Sequence, residues 1–297
     1  MIRPSRTVDR SGVARHYDEL DPFYRALWGE HLHHGLWTTG RESPEAAALA
    51  LVDEVARRAG IGPGVRVCDV GSGYGAVARR LAGQGARVTG ITVSAAQHRH
   101  ATAAGPKEGA SAPGPVPDGA AGPADPPPVF LAGDWLENDL PDAAFDAVIA
   151  IESLSHMADP LRALAEARRV VRPGGRLVAC VWLAAESPRP WEVRHLLRPI
   201  CDEGRLPGLP AASDYGRWLA AAGFDAPALD DVSHRVARTW TVSAQRLLMA
   251  LTRPSSWAYL LDGRNTERAF ALTVARILLA FRTGAMRYGI IGATKPG

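Results

Sequence analysis

The sequence predicts an α/β fold built on a mostly parallel sheet with helices on both faces, and three observations carry that prediction. Short apolar runs alternate with helix-length segments through the middle of the chain, the pattern of a sheet covered on both sides. The run from Val65 to Val70 leads directly into Gly71-Ser72-Gly73-Tyr74-Gly75. Glycine is needed at such a turn because a residue without Cβ takes positive φ without strain and lets a ligand lie against the backbone. Finally, residues 159–171 carry a helix signature: Asp159 as N-cap, Pro160 at the first helical position, and Pro173-Gly174-Gly175 as a stop.

Taken in order, residues 10–60 begin with an aromatic and histidine-rich stretch, Tyr17, Tyr24, Trp28, His31, His33, His34 and Trp37, and continue into an alanine-rich helix. Strands are expected near 65–70, 86–91, 128–132, 144–150 and 175–183. Between the second helix and third strand, the 24 residues from Gly105 to Pro128 hold eight prolines, five glycines and five alanines without apolar periodicity. That composition predicts a disordered loop, whose entropic cost grows only logarithmically with length. In the 159–171 helix, Leu161, Leu164, Arg168 and Val171 are expected along one face, with Arg168 as its polar interruption. Segments 186–222 and 239–282 read as helices rich in Trp, Arg and Leu, and Met286 to Ala293 reads as a last strand.

Composition narrows the function classes. With 46% hydrophobic and 22% charged residues, a wholly disordered chain is excluded. The formal charge is +3 and the basic residues are scattered without aromatic interleaving, so no nucleic-acid partner is expected. Cys68, Cys180 and Cys201 have neither metal-like nor disulfide-like spacing and read as reduced structural thiols. The region of Arg3, Arg6, Asp9 and Arg10 lacks the apolar core of a signal peptide, and no apolar run approaches the roughly 18 residues of a membrane span. A cytoplasmic protein with no membrane partner is the expectation.

The glycine turn is a nucleotide cradle, but its spacing is ambiguous. Gly71, Gly73 and Ala76 also satisfy the dinucleotide fingerprint G-x-G-x-x-G/A. A dinucleotide site needs an acid about 20 residues further on for the ribose hydroxyls, and no acid occurs between Asp69 and Glu108. An acid placed just before the glycines instead suits a compact zwitterion, such as S-adenosylmethionine.

Asp69-Val70-Gly71-Ser72-Gly73-Tyr74-Gly75 resembles the first motif of class I S-adenosylmethionine-dependent methyltransferases. Gly90-Ile91-Thr92-Val93-Ser94-Ala95-Ala96-Gln97 is similar to the second-strand signature of a small-molecule branch that includes tocopherol, sarcosine/dimethylglycine and rebeccamycin-type sugar methyltransferases. The resemblance continues through Gly133-Asp134-Trp135, Phe145-Asp146-Ala147-Val148, Glu152-Ser153-Leu154-Ser155-His156-Met157 and Val171-Arg172-Pro173-Gly174-Gly175, and covers the chain from about Tyr17 onward. It implies a Rossmann-like seven-stranded sheet, mostly parallel with an antiparallel last strand, plus a helical lid. The expected division is an N-terminal helical lid (1–60), a cofactor-binding core (61–185) with its disordered insertion (105–128), and substrate-lid helices with the last strands of the sheet (186–297).

Methyl transfer from a sulfonium is an in-line displacement, so such an enzyme mainly positions an acceptor and excludes water. Gly71, Gly73 and Gly75 are expected to admit the amino-acid and ribose parts of the cofactor, with Asp69 at its amino end. By resemblance, Gln97 contacts the ribose and Thr92 either joins it or caps the next helix. Asp134 and Trp135 resemble the pair that reads adenine, and Ile151 is expected beside the methionine part. His156 is the candidate general base, its reference pKa lying near neutrality. Glu152 competes for that role if an alkene-derived carbocation must lose a proton. Tyr17, Tyr24, His34 and Trp37 are candidate walls of the acceptor pocket. The His31-x-His33-His34 cluster also invites a metal reading, but no further ligands are identifiable and no metal is expected.

Three functions compete. The first is methyl transfer to a small-molecule acceptor, a specialised metabolite, with O-methylation preferred over C- or N-methylation because of His156. The second keeps the cofactor but not the transfer, as a cyclase or binding protein. The third, a nicotinamide-dependent oxidoreductase, lacks its ribose acid.

Overall fold

The computed structural model describes residues 1–5, 30–104, 127–225, 227–251 and 268–297. Tyr17, Tyr24 and all but the last two residues of the proline-rich insertion lie outside them. The sheet contains β1 (Arg66–Val70), β2 (Arg87–Thr92), β3 (Val129–Ala132), β4 (Phe145–Ile151), β5 (Val171–Ala184), β6 (Ala228–Asp231) and β7 (Met286–Thr294), in the spatial order β3-β2-β1-β4-β5-β7-β6. The pairs from β3 through β5 are parallel, and β7 inserts antiparallel to both β5 and β6. The order reverses between β1 and β4, which places a ligand crevice at their carboxyl ends.

The sheet is buried on both faces because its strands alternate two apolar sets. One set, including Val67, Ala147, Ile149, Val178 and Ile290, packs under α1 (Pro44–Ala59) and α2 (Ala76–Ala82). The other, including Cys68, Val148, Leu177, Val181 and Ile291, packs under α4 (Pro160–Val170) and α7 (Ala212–Ala221). α3 (Ala95–Ala103) follows β2. A third cluster stands at the end of β5 and β7, where Leu197, Ile200 and Cys201 meet Trp240, Val274, Ile277 and Met286. It joins α5 (Pro190–Glu192), a π turn (Val193–Leu197) and α6 (Arg198–Glu203) to α8 (Ser233–Leu251) and α9 (Arg268–Thr283). These helices pack together against the end of β5 and the start of β7. All three cysteines are free and buried, and burial pushes the Cys201 thiol up to about 12.

Several local expectations need correction. Asp159 does cap α4, accepting from the Arg162 amide at 3.0 Å. The buried face of α4, however, is Ala163, Leu164, Ala167 and Val170, while Leu161 is exposed. Pro173-Gly174-Gly175 does not stop this helix. Val171 has already left it to pair with Phe145, and the proline and glycines form an irregularity inside β5 where the register shifts between Phe145 and Ala147. Finally α1, expected within the N-terminal lid, buries Leu51, Val52 and Val55 against the sheet and belongs to the core. Its ends are fixed by Ser43, which accepts from the Ala46 amide, and by Gly60 at φ 67°.

Candidate active site

The cradle is built where β1 ends. Gly71, Gly73 and Gly75 have φ of 75°, 54° and 80°, the left-handed region that side chains disfavour. Two of them also bring elements close together: a Cβ on Gly71 would stand 2.3 Å from Ser153 Cβ, and one on Gly75 2.5 Å from Phe130. A Cβ on Gly73 would meet nothing within 4 Å, so this turn opens onto space. Beside it Asp69 is buried, and among the described residues its Oδ2 has no hydrogen-bond partner, nor does Ser72 Oγ. Desolvation raises the Asp69 carboxyl to about 7. A buried acid of this kind, at an open glycine turn, fits a ligand that brings a cation.

At the tip of β2, Thr92 and Gln97 are buried and bonded to each other, Thr92 Oγ1 donating to Gln97 Oε1 at 2.9 Å. Thr92 Oγ1 also accepts from the Ser94 amide at 3.3 Å, while Ser94 caps α3 through the Gln97 amide at 3.1 Å. The cap of α3 is thus Ser94, and Thr92 supports it from one residue further back by holding the Ser94 amide. After β3, Asp134 Oδ1 accepts from the Leu136 amide at 3.0 Å. The Trp135 ring turns away into the core, its indole N–H donating to the Ala163 carbonyl at 2.9 Å. Only the backbone of Trp135 is left to face a ligand.

β4 ends at Ile151, and Glu152 follows at φ 65°. The next residues form a 3-10 turn, Ser153–His156, in which Ser153 Oγ donates to the Val70 carbonyl at 2.5 Å. His156 closes the turn. Burial lowers its pKa to about 4, against an opposing backbone hydrogen bond at Arg205 and the charge of Glu152. The imidazole is therefore neutral at pH 7.

Glu152 sits in different surroundings. Its Oε1 accepts from the His34 amide at 2.7 Å, His34 Nδ1 at 2.9 Å and Tyr288 Oη at 2.8 Å, and its Oε2 accepts from Trp182 Nε1 at 3.0 Å. Trp182 and Tyr288 are register partners on β5 and β7, so strand alternation sends both side chains to one face. Burial raises a carboxyl, but the contacts from His34 and His33 outweigh it and hold Glu152 at about 2.

The segment bearing these histidines is a strap across the carboxyl edge of the sheet. The His34 ring is buried among Trp182, Trp240, Phe281 and Tyr288. Thr239 Oγ1 on α8 accepts from the Gly35 amide at 3.1 Å and from Trp37 Nε1 at 3.0 Å, and Trp37 is buried. His31 and His33 are linked ring to ring at 3.2 Å, and His33 Nδ1 donates to the His34 carbonyl at 2.9 Å. Burial lowers the pKa of both, His31 to about 4. Among the described residues no three His, Cys, Asp or Glu side chains converge as a metal-binding group.

The sequence singled out Glu152, His34 and Trp37 as candidates but not Trp182, Thr239, Trp240 and Tyr288, whose side chains they contact in the fold. The one available signal was the pair of aromatic residues at facing ends of β5 and β7.

Comparison with known proteins agrees with this geometry. Residues 68–179 match the family model described as a methyltransferase domain, and residues 5–113 match that of mycolic acid cyclopropane synthetase. The chain is 32% identical to the 27-O-demethylrifamycin SV methyltransferase of Amycolatopsis mediterranei over 236 residues, which is 79% of this chain and 81% of that protein. It is 30% identical over 303 residues to the probable chloroplastic tocopherol O-methyltransferase of Oryza sativa subsp. japonica, covering 97% of this chain and 78% of that one. Among solved structures, the [4+2]-cyclase SpnF superposes with a TM-score of 0.75 at 30% identity, over 99% of this chain and 98% of SpnF. A seven-stranded sheet of this order with a glycine cradle at its switch point defines a Rossmann-like nucleotide-binding enzyme. The chain belongs to the class I S-adenosylmethionine-dependent small-molecule methyltransferases, and S-adenosylmethionine is its cofactor. The nicotinamide alternative is thereby displaced. No helix among the described residues is long and apolar enough to cross a membrane.

Proposed function

We propose that this chain transfers the methyl group of S-adenosylmethionine to an enclosed small-molecule acceptor, a specialised metabolite, and that oxygen is the preferred methylated atom. The observation that carries the cofactor side is Asp69, a buried carboxylate with an unpartnered oxygen beside an open glycine turn. When bound, S-adenosylmethionine supplies an electrophilic methyl on a sulfonium and an ammonium group. Asp69 holds that amino end directly or through water. Gly71, Gly73 and Gly75 present backbone to the amino-acid and ribose parts, and Ile151 lines the methionine part. Because Thr92 occupies Gln97 Oε1, the amide nitrogen of Gln97 is directed elsewhere, and the ribose is its partner. Asp134 accepts from the exocyclic amine of the base, with the Trp135 backbone beside it.

The oxygen preference rests on His156. A neutral imidazole at the carboxyl edge takes the proton of an acceptor hydroxyl as the new bond forms. The named relatives support the same choice, since both act on oxygen by name and one acts on a rifamycin. Tyr17 and Tyr24 are assigned to the acceptor wall from the sequence, with His34 and Trp37 supporting it from the strap. Soluble action on a small acceptor, without membrane or nucleic acid, completes the reading.

The likeness to SpnF favours a second reading, a cyclase that keeps the cofactor without spending its methyl. Incubation with S-adenosylmethionine and a panel of polyketide-like phenols and alcohols, followed by mass spectrometry, separates the two. A product heavier by one methylene with equimolar S-adenosylhomocysteine supports methyl transfer. An isomer of unchanged mass with no S-adenosylhomocysteine supports cyclisation.

A further inference from the structure

We propose that Glu152 is a positioning residue that ties the strap at His34 to the cofactor cradle, and does not itself accept a proton; this rests on the cradle being the S-adenosylmethionine site. An ionised carboxylate offers about four acceptor positions. Glu152 already has four donors, from the His34 amide, His34 Nδ1, Tyr288 and Trp182. Three of these converge on Oε1 and Trp182 takes Oε2, so the protein clamps both oxygens of the carboxylate in place. The donors come from the strap, β5 and β7, so one side chain gathers three separated pieces of chain at the end of a fourth.

The His34 contact is a hydrogen bond whose donor nitrogen Trp240 selects. Trp240 Nε1, which can only donate, points at His34 Nε2 from 2.6 Å. Nε2 therefore carries a lone pair and the proton is on Nδ1, aimed at Glu152. Trp240, on α8, thus fixes the tautomer that the latch requires.

Position in the chain gives the latch its second function. Glu152 stands in left-handed backbone, φ 65° and ψ −7°, a conformation a non-glycine residue holds only when its surroundings impose it. The following residue, Ser153, donates to the Val70 carbonyl and lies against Gly71 so closely that a Cβ there would overlap it. Adjacent residues in one constrained turn thus contact the strap and the cradle. At its other end the strap approaches the cradle again: Glu30 is 3.8 Å from Arg79, whose guanidinium holds the Tyr74 carbonyl at 2.9 Å. Strap docking and cofactor binding are consequently linked, each strengthening the other.

Glu152→Gln tests the linkage. The amide keeps the shape but turns an NH2 toward converging donors. With unchanged far-ultraviolet circular dichroism, S-adenosylhomocysteine affinity measured by calorimetry should fall about 10-fold, the size of a lost charged hydrogen bond. KM for S-adenosylmethionine should rise while the pH profile of kcat keeps its shape. Trp240→Phe, which never touches Glu152, should weaken S-adenosylhomocysteine in the same direction, about 3-fold for a neutral hydrogen bond. If Glu152→Gln binds S-adenosylhomocysteine like the wild type but loses kcat and its pH dependence, Glu152 is the base and the proposal fails. If Glu152→Gln does not fold, wild-type affinity in both Trp240→Phe and Tyr288→Phe overturns it equally. A wild-type protein that does not bind S-adenosylhomocysteine would instead overturn the cofactor site.

Discussion

Two carboxylates, Asp69 buried and Glu152 mostly so, stand at the ends of neighbouring strands and behave as opposites. Asp69, near the end of β1, has an oxygen with no partner among the described residues, and desolvation lifts its pKa to about 7. Glu152, just past β4, accepts four hydrogen bonds and is held at about 2 in spite of burial. The difference is one of supply: among the described residues the protein provides donors to both oxygens of Glu152 and none to Asp69 Oδ2. A satisfied buried carboxylate builds structure, whereas an unsatisfied one raises the energy of the ligand-free state and waits for a cation. Their pH signatures are also opposite. Asp69 ionises at about 4 when unfolded, so as pH rises from there to about 7 the cofactor-free fold loses stability. Glu152, depressed from 4.5, contributes stability above that value and loses it as pH falls toward about 2.

The largest effect expected on this contrast is at the open turn. Gly73→Val places a branched side chain where φ is 54° and into the space beside Asp69. S-adenosylhomocysteine binding should become undetectable by calorimetry, with the fold intact by circular dichroism; wild-type affinity would remove the cradle from the account. Next is His156→Ala, which should cut kcat about 100-fold or more while leaving cofactor affinity nearly intact. A rate within a few-fold of wild type would reduce His156 to a structural residue.

Parallel carboxylate-to-amide changes sharpen the comparison directly. At pH 8, Asp69→Asn should stabilise the cofactor-free protein by about 2 kcal/mol, because it removes an unpaired buried charge. Its S-adenosylhomocysteine affinity should nonetheless drop by about 10-fold or more. Glu152→Gln should destabilise the same state by about 2 kcal/mol. Thermal melts that shift in the same direction for both variants would erase the distinction between the two sites.

Much of the fold was legible because it depends on local pattern. The apolar runs of β1, β2 and β4 and the cap at Asp159 appear nearly where expected. β6 was not seen, since Ala228-Leu229-Asp230-Asp231 is a short edge strand with little apolar content. The face of α4 was misplaced because its small residues, Ala163 and Ala167, make the closest packing, which a search for large apolar side chains overlooks. The cradle could be read as a contiguous motif, and so could the acid that precedes it. The latch could not. Its partners lie 30, 118 and 136 residues from Glu152 and become neighbours only when β5, the strap and β7 converge on the end of β4. Nor could the sequence separate the ring of Trp135 from its backbone, because the Ala163 carbonyl that captures the indole is set by helix packing.

The central claim is that Asp69 is left unsatisfied for the cofactor's ammonium, and proton linkage tests it most directly. With its pKa near 7 before binding, Asp69 must give up a proton when the cation arrives. Calorimetric titration with S-adenosylhomocysteine at pH 6.5, in two buffers of different ionisation enthalpy, should therefore show release of most of one proton. Affinity should rise about 10-fold between pH 6 and pH 8, and both effects should vanish in Asp69→Asn. Binding that is proton-neutral and pH-independent in the wild type would contradict the account.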